Sequence, residues 1–206
     1  MKSLKIFATA ILFTSALTAT AQNEADNTND SSPSFGVKGG VNFATITGDD
    51  FDSPDMRTSF HVGAIAEFPI ADMFSLQAEA IYSSQGFKSD IDGGIIGGDG
   101  KIEYQLDYIN VPVLAKIYVT KGLSFEVGPQ FGFLVNEEID SDPTDDPGDF
   151  ETNEAKDFDF SVAGGLTFQT DMGLFASGRY NYGVTEIIED SDAHNSVFQV
   201  SIGYKF

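Results

Sequence analysis

From Ser34 onward nearly every apolar side chain recurs with period two, and no segment carries a convincing 3.6-residue period of a helix. The ending "FQVSIGYKF" shows the pattern: Phe198, Val200, Ile202, Tyr204 and Phe206 alternate with Gln199, Ser201, Gly203 and Lys205. Eight such segments follow one another, near 34–46, 58–70, 73–85, 103–119, 122–135, 156–170, 172–185 and 198–206. Long polar stretches join strands 1–2, 3–4, 5–6 and 7–8. Tight turns near Ala71-Asp72, Thr120-Lys121-Gly122 and Thr170-Asp171 join the others. Alternating long and short connections predict an antiparallel up-and-down meander with both chain ends on the short-turn side. In the fourth segment, Ile102, Tyr104 and Leu106 fall on the face opposite to Ile109 and its successors, which predicts a bulge or a change of environment near Asp107.

Period two does not say whether the apolar face meets a core or lipid. A soluble lipocalin-like barrel, with its apolar residues inside, is the simplest competitor. The aromatic spacing argues for lipid. Phe35/Phe43, Phe60/Phe68, Phe74/Tyr82, Phe125/Phe133, Phe160/Phe168 and Phe198/Phe206 each stand eight residues apart on the apolar face. Eight residues of tilted strand rise roughly 20 Å, close to the apolar band of an outer-membrane barrel with its aromatic girdles. The opposite face then points inward. It carries Lys38, Glu67, Glu79, Lys116, Glu126, Asp157, Asp159, Arg179 and Lys205. Eight strands leave room for side chains and none for a channel, so Lys38, Glu67, Glu79, Lys116, Glu126, Arg179 and Lys205 are expected to form a polar network filling the lumen. The last strand must pair with the first to close the sheet, which explains a chain that stops mid-pattern. With Tyr204 and Phe206, its end resembles the terminal signal that barrel-insertion machinery recognises.

The amino terminus fits export. Lys2 and Lys5 precede an apolar run from Ile6 to Leu17, and Ala19-Thr20-Ala21 forms an A-x-A site. Residues 1–21 read as a cleaved signal peptide, since twelve apolar residues fall short of the ~20 that a spanning helix needs. Residues 22–33 read as a polar linker and 34–206 as the barrel domain. Export permits disulfides, yet the chain has no cysteine. Without Lys2 and Lys5 the chain holds 9 basic residues against 32 acidic ones. So acidic a surface repels phosphate backbones and excludes nucleic acid as a partner.

The blocks "SFHVGAIAEFPI", "FSLQAEAIYSSQGFK", "LDYINVPVLAKIYV" and "SFEVGPQFGF" resemble the PorT-like outer-membrane β-barrel family of the Bacteroidetes across roughly residues 34–206, with Tyr108, Pro112 and Lys116 in the most recognisable stretch. The resemblance implies an eight-stranded outer-membrane barrel of a Gram-negative bacterium. It also implies a local irregularity at Pro112, which cannot donate to a sheet ladder. Its namesake acts in protein secretion, but a shared scaffold does not transfer that role.

The long connections hold most of the acidic residues. Asp140, Asp142, Asp145, Asp146 and Asp149 form the densest cluster and would suit Ca²⁺ or Mg²⁺, although Pro143 and Thr144 break the EF-hand spacing and solvated acidic loops are the plainer reading. The glycines of "IDGGIIGGDGK" match no phosphate-binding pattern. Two histidines offer a test of catalysis, because lipid-modifying and proteolytic barrels of this architecture use histidine at the outer rim. His61 is expected on the lumen face and His194 in the fourth loop, near Ser59 and Asp192, with no nucleophile–base constellation in the spacing. The sequence therefore predicts a non-catalytic, cofactor-free, transmembrane β-barrel that presents acidic extracellular loops to outer-membrane lipid or a protein partner, as an interaction or envelope-structural component. Its rivals are an outer-membrane enzyme, a small-solute channel and the soluble binder.

Overall fold

The computed structural model describes residues 32–48, 55–91, 100–141, 155–187 and 193–206. The expected signal peptide and nearly all of the polar linker lie outside the described residues. Eight strands form one closed antiparallel barrel in sequence order. They are β1 (Ser34–Thr47), β2 (Asp55–Ala71), β3 (Phe74–Ile91), β4 (Gly100–Thr120), β5 (Leu123–Ser141), β6 (Phe158–Gln169), β7 (Leu174–Gly183) and β8 (His194–Lys205). Closure runs from Gly36↔Lys205 to Thr47↔His194, and the Phe206 amide donates to the Phe35 carbonyl at 2.9 Å. No free edge remains within the membrane band, as a bilayer requires.

The apolar face is outside. Phe168 is 58 % exposed and Ile202 72 %, whereas Lys116 and Arg179 are sealed within at 0 % and 2 %. Outward aromatics gather toward each rim. On the loop side, Phe43 meets Phe198 (centroids 6.5 Å apart), Phe60 meets Tyr82 (5.9 Å) and Phe133 meets Phe158 (5.7 Å). On the turn side, Tyr204 meets Phe206 at 6.3 Å. Gly122 closes the β4–β5 turn at φ +86°, in the left-handed region where a Cβ is strained.

Three features depart from or refine the sequence reading. First, β3, β4 and β5 run past the membrane band into what the alternation left as loops. Asp140 accordingly sits within β5 and pairs with Glu103 of β4. Second, β4 keeps one inward parity throughout. Leu106, Tyr108, Asn110, Leu114 and Lys116 are all buried. The irregularity near Asp107 lies in the partner strand, where Asp107↔Asn136 is followed by Tyr108↔Leu134, so Val135 is the extra residue. Third, β6 begins at Phe158, which leaves Asp157 exposed outside the strand rather than in the lumen. Pro112 is accommodated by a gap. The β3–β4 pairing reaches Ala78↔Val113, skips Val111 and Pro112, and resumes in register at Ile81↔Asn110.

Candidate functional site

The lumen is built in tiers because every inward position comes from period-two strands whose outward neighbours are committed to lipid. Nearest the turns, Glu67 collects four donors. Ser75 Oγ donates at 2.5 Å, Lys116 Nζ lies 3.2 Å from Oε2, and Tyr118 and Lys205 also donate to it. Lys205 Nζ reaches Gln169 Oε1 as well, at 2.9 Å. One tier further in, Arg179 grips Glu79 with both terminal nitrogens (2.8 and 2.7 Å) and donates Nε to Glu126 Oε1 at 2.8 Å. Lys38 Nζ approaches Glu79 at 2.8 Å, and Thr167 donates to Glu126 at 3.0 Å. The seven residues singled out from the sequence as lumen polar groups thus lie in these two tiers. Ion pairs so buried must be fully satisfied, because a carboxylate stripped of its partners costs several kcal/mol.

Above them sits a neutral tier. Asn42 donates to Ser83 Oγ (3.0 Å) and the Ser84 carbonyl (2.6 Å). His61 spans Asn42 Oδ1 (2.7 Å) and Ser201 Oγ (2.8 Å), a bridge that holds both ring nitrogens inside the wall. On the β4–β7 wall, Asn110 Nδ2, Gln130 Oε1 and both ends of Asn181 meet no protein partner, a pattern that suits internal water. Asp159 is buried near the loop end and accepts from Ser161 (3.0 Å), Thr185 (2.9 Å) and Asn195 (3.1 Å).

The loop end is closed by apolar side chains. Ile46, Phe87, Leu106, Tyr108, Ile187 and Ala193 form one buried cluster. Tyr104 stacks on Phe87 with ring centroids 4.7 Å apart. The Ile187 amide donates to the Ala193 carbonyl at 2.8 Å and ties the two flanks of the fourth loop across the cap. Sequence reasoning missed this cap. Its signal was the inward parity of Leu106, which a purely polar lumen does not accommodate.

A second group was also missed. Arg57, read as part of the first loop, lies in β2 and donates to Glu103 (2.6 Å), Ser84 (2.9 Å), the Gln85 carbonyl (3.0 Å) and Gln105 (2.7 Å). Lys88 contacts the other Glu103 oxygen at 3.0 Å. Partial burial alone would raise the Glu103 carboxyl. The hydrogen bonds and charges of Lys88 and Arg57 outweigh it and hold the group below its ordinary value. The available clue was scarcity: Arg57 and Arg179 are the chain's two arginines.

Asp140 is in β5, while Asp142, Asp145, Asp146 and Asp149 lie outside the described residues. Among the described residues, no three His, Cys, Asp or Glu side chains are arranged to hold a metal ion. His194 opens β8 rather than lying in the fourth loop, with Nδ1 3.1 Å from the Thr185 carbonyl oxygen and its ring 6.2 Å from Tyr182. His61 is buried among amide and hydroxyl partners, so the histidines do not converge. Tyr204 and Phe206 both face outward at the turn-side rim.

Comparisons agree on the scaffold. Neisserial surface protein A (NspA) superposes with a TM-score of 0.55 at 12 % identity, over 85 % of this chain and 99 % of that one. The Yersinia pestis attachment invasion locus protein Ail, solved with the heparin analogue sucrose octasulfate, gives 0.51 at 12 % identity, over 84 % and 99 %. At such identities the likeness is one of fold. No curated protein matches the sequence. A family profile described as outer membrane protein beta-barrel domain matches residues 20–189. That description and the outward apolar face place the barrel in the outer membrane. With most of its length matched, the chain belongs to the outer membrane protein beta-barrel domain family.

Proposed function

We propose that this barrel is a non-catalytic interaction or structural component of the envelope, which works through its acidic loops and not through its lumen. The observation that carries the reading is the filled interior. Two tiers of paired charges block the turn end, and the Ile46–Phe87–Leu106–Tyr108 cluster blocks the loop end. Among the described residues, the inward charges are engaged with one another and the two histidines do not converge. Chemistry is left to the outer surface, where the long connections concentrate carboxylates. A protein partner, or divalent cations bridging the loops to anionic lipid headgroups, fits that charge.

Within the family, the blocks around Tyr108, Pro112 and Lys116 support a place among the PorT-like barrels of the Bacteroidetes, with a cleaved signal peptide and a role beside secretion machinery. The test has two arms. In planar bilayers the purified protein is expected to show no unitary conductance. Replacing residues 142–154 with a short Gly-Ser turn is expected to leave insertion intact and abolish cross-linking to envelope neighbours in cells. Steady conductance, or cross-linking unaffected by replacement of every long loop, overturns the reading.

A further inference from the structure

A concavity on the outside of the barrel is used by nothing above. About 640 Å³ in volume, it lies on the lipid-facing wall across β6, β7, β8, β1 and β2. That is within the roughly 300–1,000 Å³ of small-molecule sites. One row of paired residues crosses it: Phe168↔Ala176, Ala176↔Ile202, Ile202↔Gly39 and Gly39↔Val62. Ala176 and Gly39 are the small members of that row, between the larger Phe168, Ile202 and Val62. Val37, Leu174 and Tyr204 supply further apolar lining, and Thr170 brings the mouth to the β6–β7 turn.

The row has a direction. Phe168 stands at the turn-side aromatic rim, while Val62 is two residues from Phe60 at the loop-side rim. Four inter-strand steps span roughly 19 Å, and strands tilted by about 40° make the row climb roughly 12 Å. Half of a bilayer's apolar core is about 15 Å. The groove thus starts where periplasmic-leaflet headgroups end, reaches mid-height at Ile202 and Gly39, each four residues from both aromatics of its strand, and ends past it at Val62. Its apolar walls lose dispersion contacts wherever nothing fills them.

We infer that this groove is a binding site for one acyl chain of a periplasmic-leaflet phospholipid, held in preference to the lipid around the rest of the barrel. Continuity with the lipid-facing surface identifies the occupant as a membrane lipid, and the mouth at the short-turn end identifies the leaflet. Gly39 keeps the floor low by sequence choice alone. A Cβ there would meet only the His61 carbonyl oxygen at 3.5 Å and Val62 Cγ2 at 4.0 Å, both ordinary contacts. At neighbouring Gly40 it would come within 1.9 Å of the Val200 carbonyl oxygen, so only the former glycine can be filled without moving backbone.

The chain has no tryptophan, so single reporters are clean. Phe168→Trp reports from the groove, and Phe74→Trp from the same rim on the far wall. Both proteins are placed in phosphatidylcholine vesicles containing increasing amounts of acyl-brominated phosphatidylcholine. Quenching of F168W is expected at about threefold lower brominated fraction than that of F74W, and Gly39→Phe or Ala176→Phe in the F168W background is expected to erase the difference. Superimposable curves, or a difference that survives both filling variants, overturn the inference. If neither reporter is quenched, the outward orientation itself fails. Heat-modifiable electrophoretic mobility checks that each variant is folded, and the two reporters alone decide if a filling variant is not.

Discussion

Glu79 is where the lumen is least tolerant. Its carboxylate receives Arg179 through two nitrogens and Lys38 through a third, with all three side chains sealed from solvent. Glu79→Gln keeps the shape and removes the charge, leaving two buried cations short of their shared partner. The loss is expected to be about 3–5 kcal/mol in urea unfolding from bilayers. Glu103 is the contrasting case. It pairs with Lys88 and Arg57 beyond the loop-side rim, about a third exposed, so screening holds its worth to no more than about 1 kcal/mol. Because its folded carboxyl lies below the ordinary value, its contribution is present above the unfolded pKa and lost as pH falls through the lowered one. Wild type should therefore exceed Glu103→Gln in unfolding midpoint at pH 7, and the two should converge under acid. A gap that persists at low pH would contradict this assignment.

At the scale of elements, the strands were legible because a lipid-facing wall allows no exceptions to its outward parity. Phe125, Val127, Phe131 and Phe133 announced β5 outright. What escaped were positions where the bilayer stops dictating the pattern. Asp157 alternates correctly with Asp159, yet it lies beyond the last pairing of β6 and faces solvent. The extended β3–β5 wall, its Arg57 cluster and the Val135 bulge lie past the aromatic rim, where polar and apolar residues mix freely. Gly86 marks that region. It has φ +119°, and a Cβ would fall 1.9 Å from the Tyr104 carbonyl oxygen, at the register shift between β2 and β3. Gly86→Ala is expected to cost about 1–3 kcal/mol, read from the unfolding midpoint, with the barrel's fold retained. The β1–β8 seam makes a different prediction. Phe206 contributes one backbone hydrogen bond and an outward ring, so Phe206→Ala should refold normally in detergent while inserting more slowly in cells, as seen by pulse-chase of the heat-modifiable form. Equal insertion rates would remove the terminal-signal role.

For the whole molecule, closure was legible and plugging only half so. The charged tiers follow from inward parity, because Lys38, Glu79, Glu126 and Arg179 have nowhere else to go once the aromatics face out. The apolar cap does not follow. Its members come from five separate segments, with Ile187 and Ala193 flanking a connection, and no local period links them. The result is a barrel whose outside is a lipid solvent-face and whose inside is a packed polar core, the reverse of a soluble barrel with the same alternation. The absence of native cysteine allows that inversion to be read directly. Single cysteines from Ser124 to Phe133, spin-labelled in bilayers, report collision with oxygen in lipid and with a water-soluble nickel chelate. The structure predicts oxygen access peaking at 125, 127, 131 and 133, with 124, 126 and 130 shielded from both reagents. Chelate access at 126 and 130 would mean a water-filled lumen, and oxygen peaks shifted by one residue would mean that the apolar face is inside.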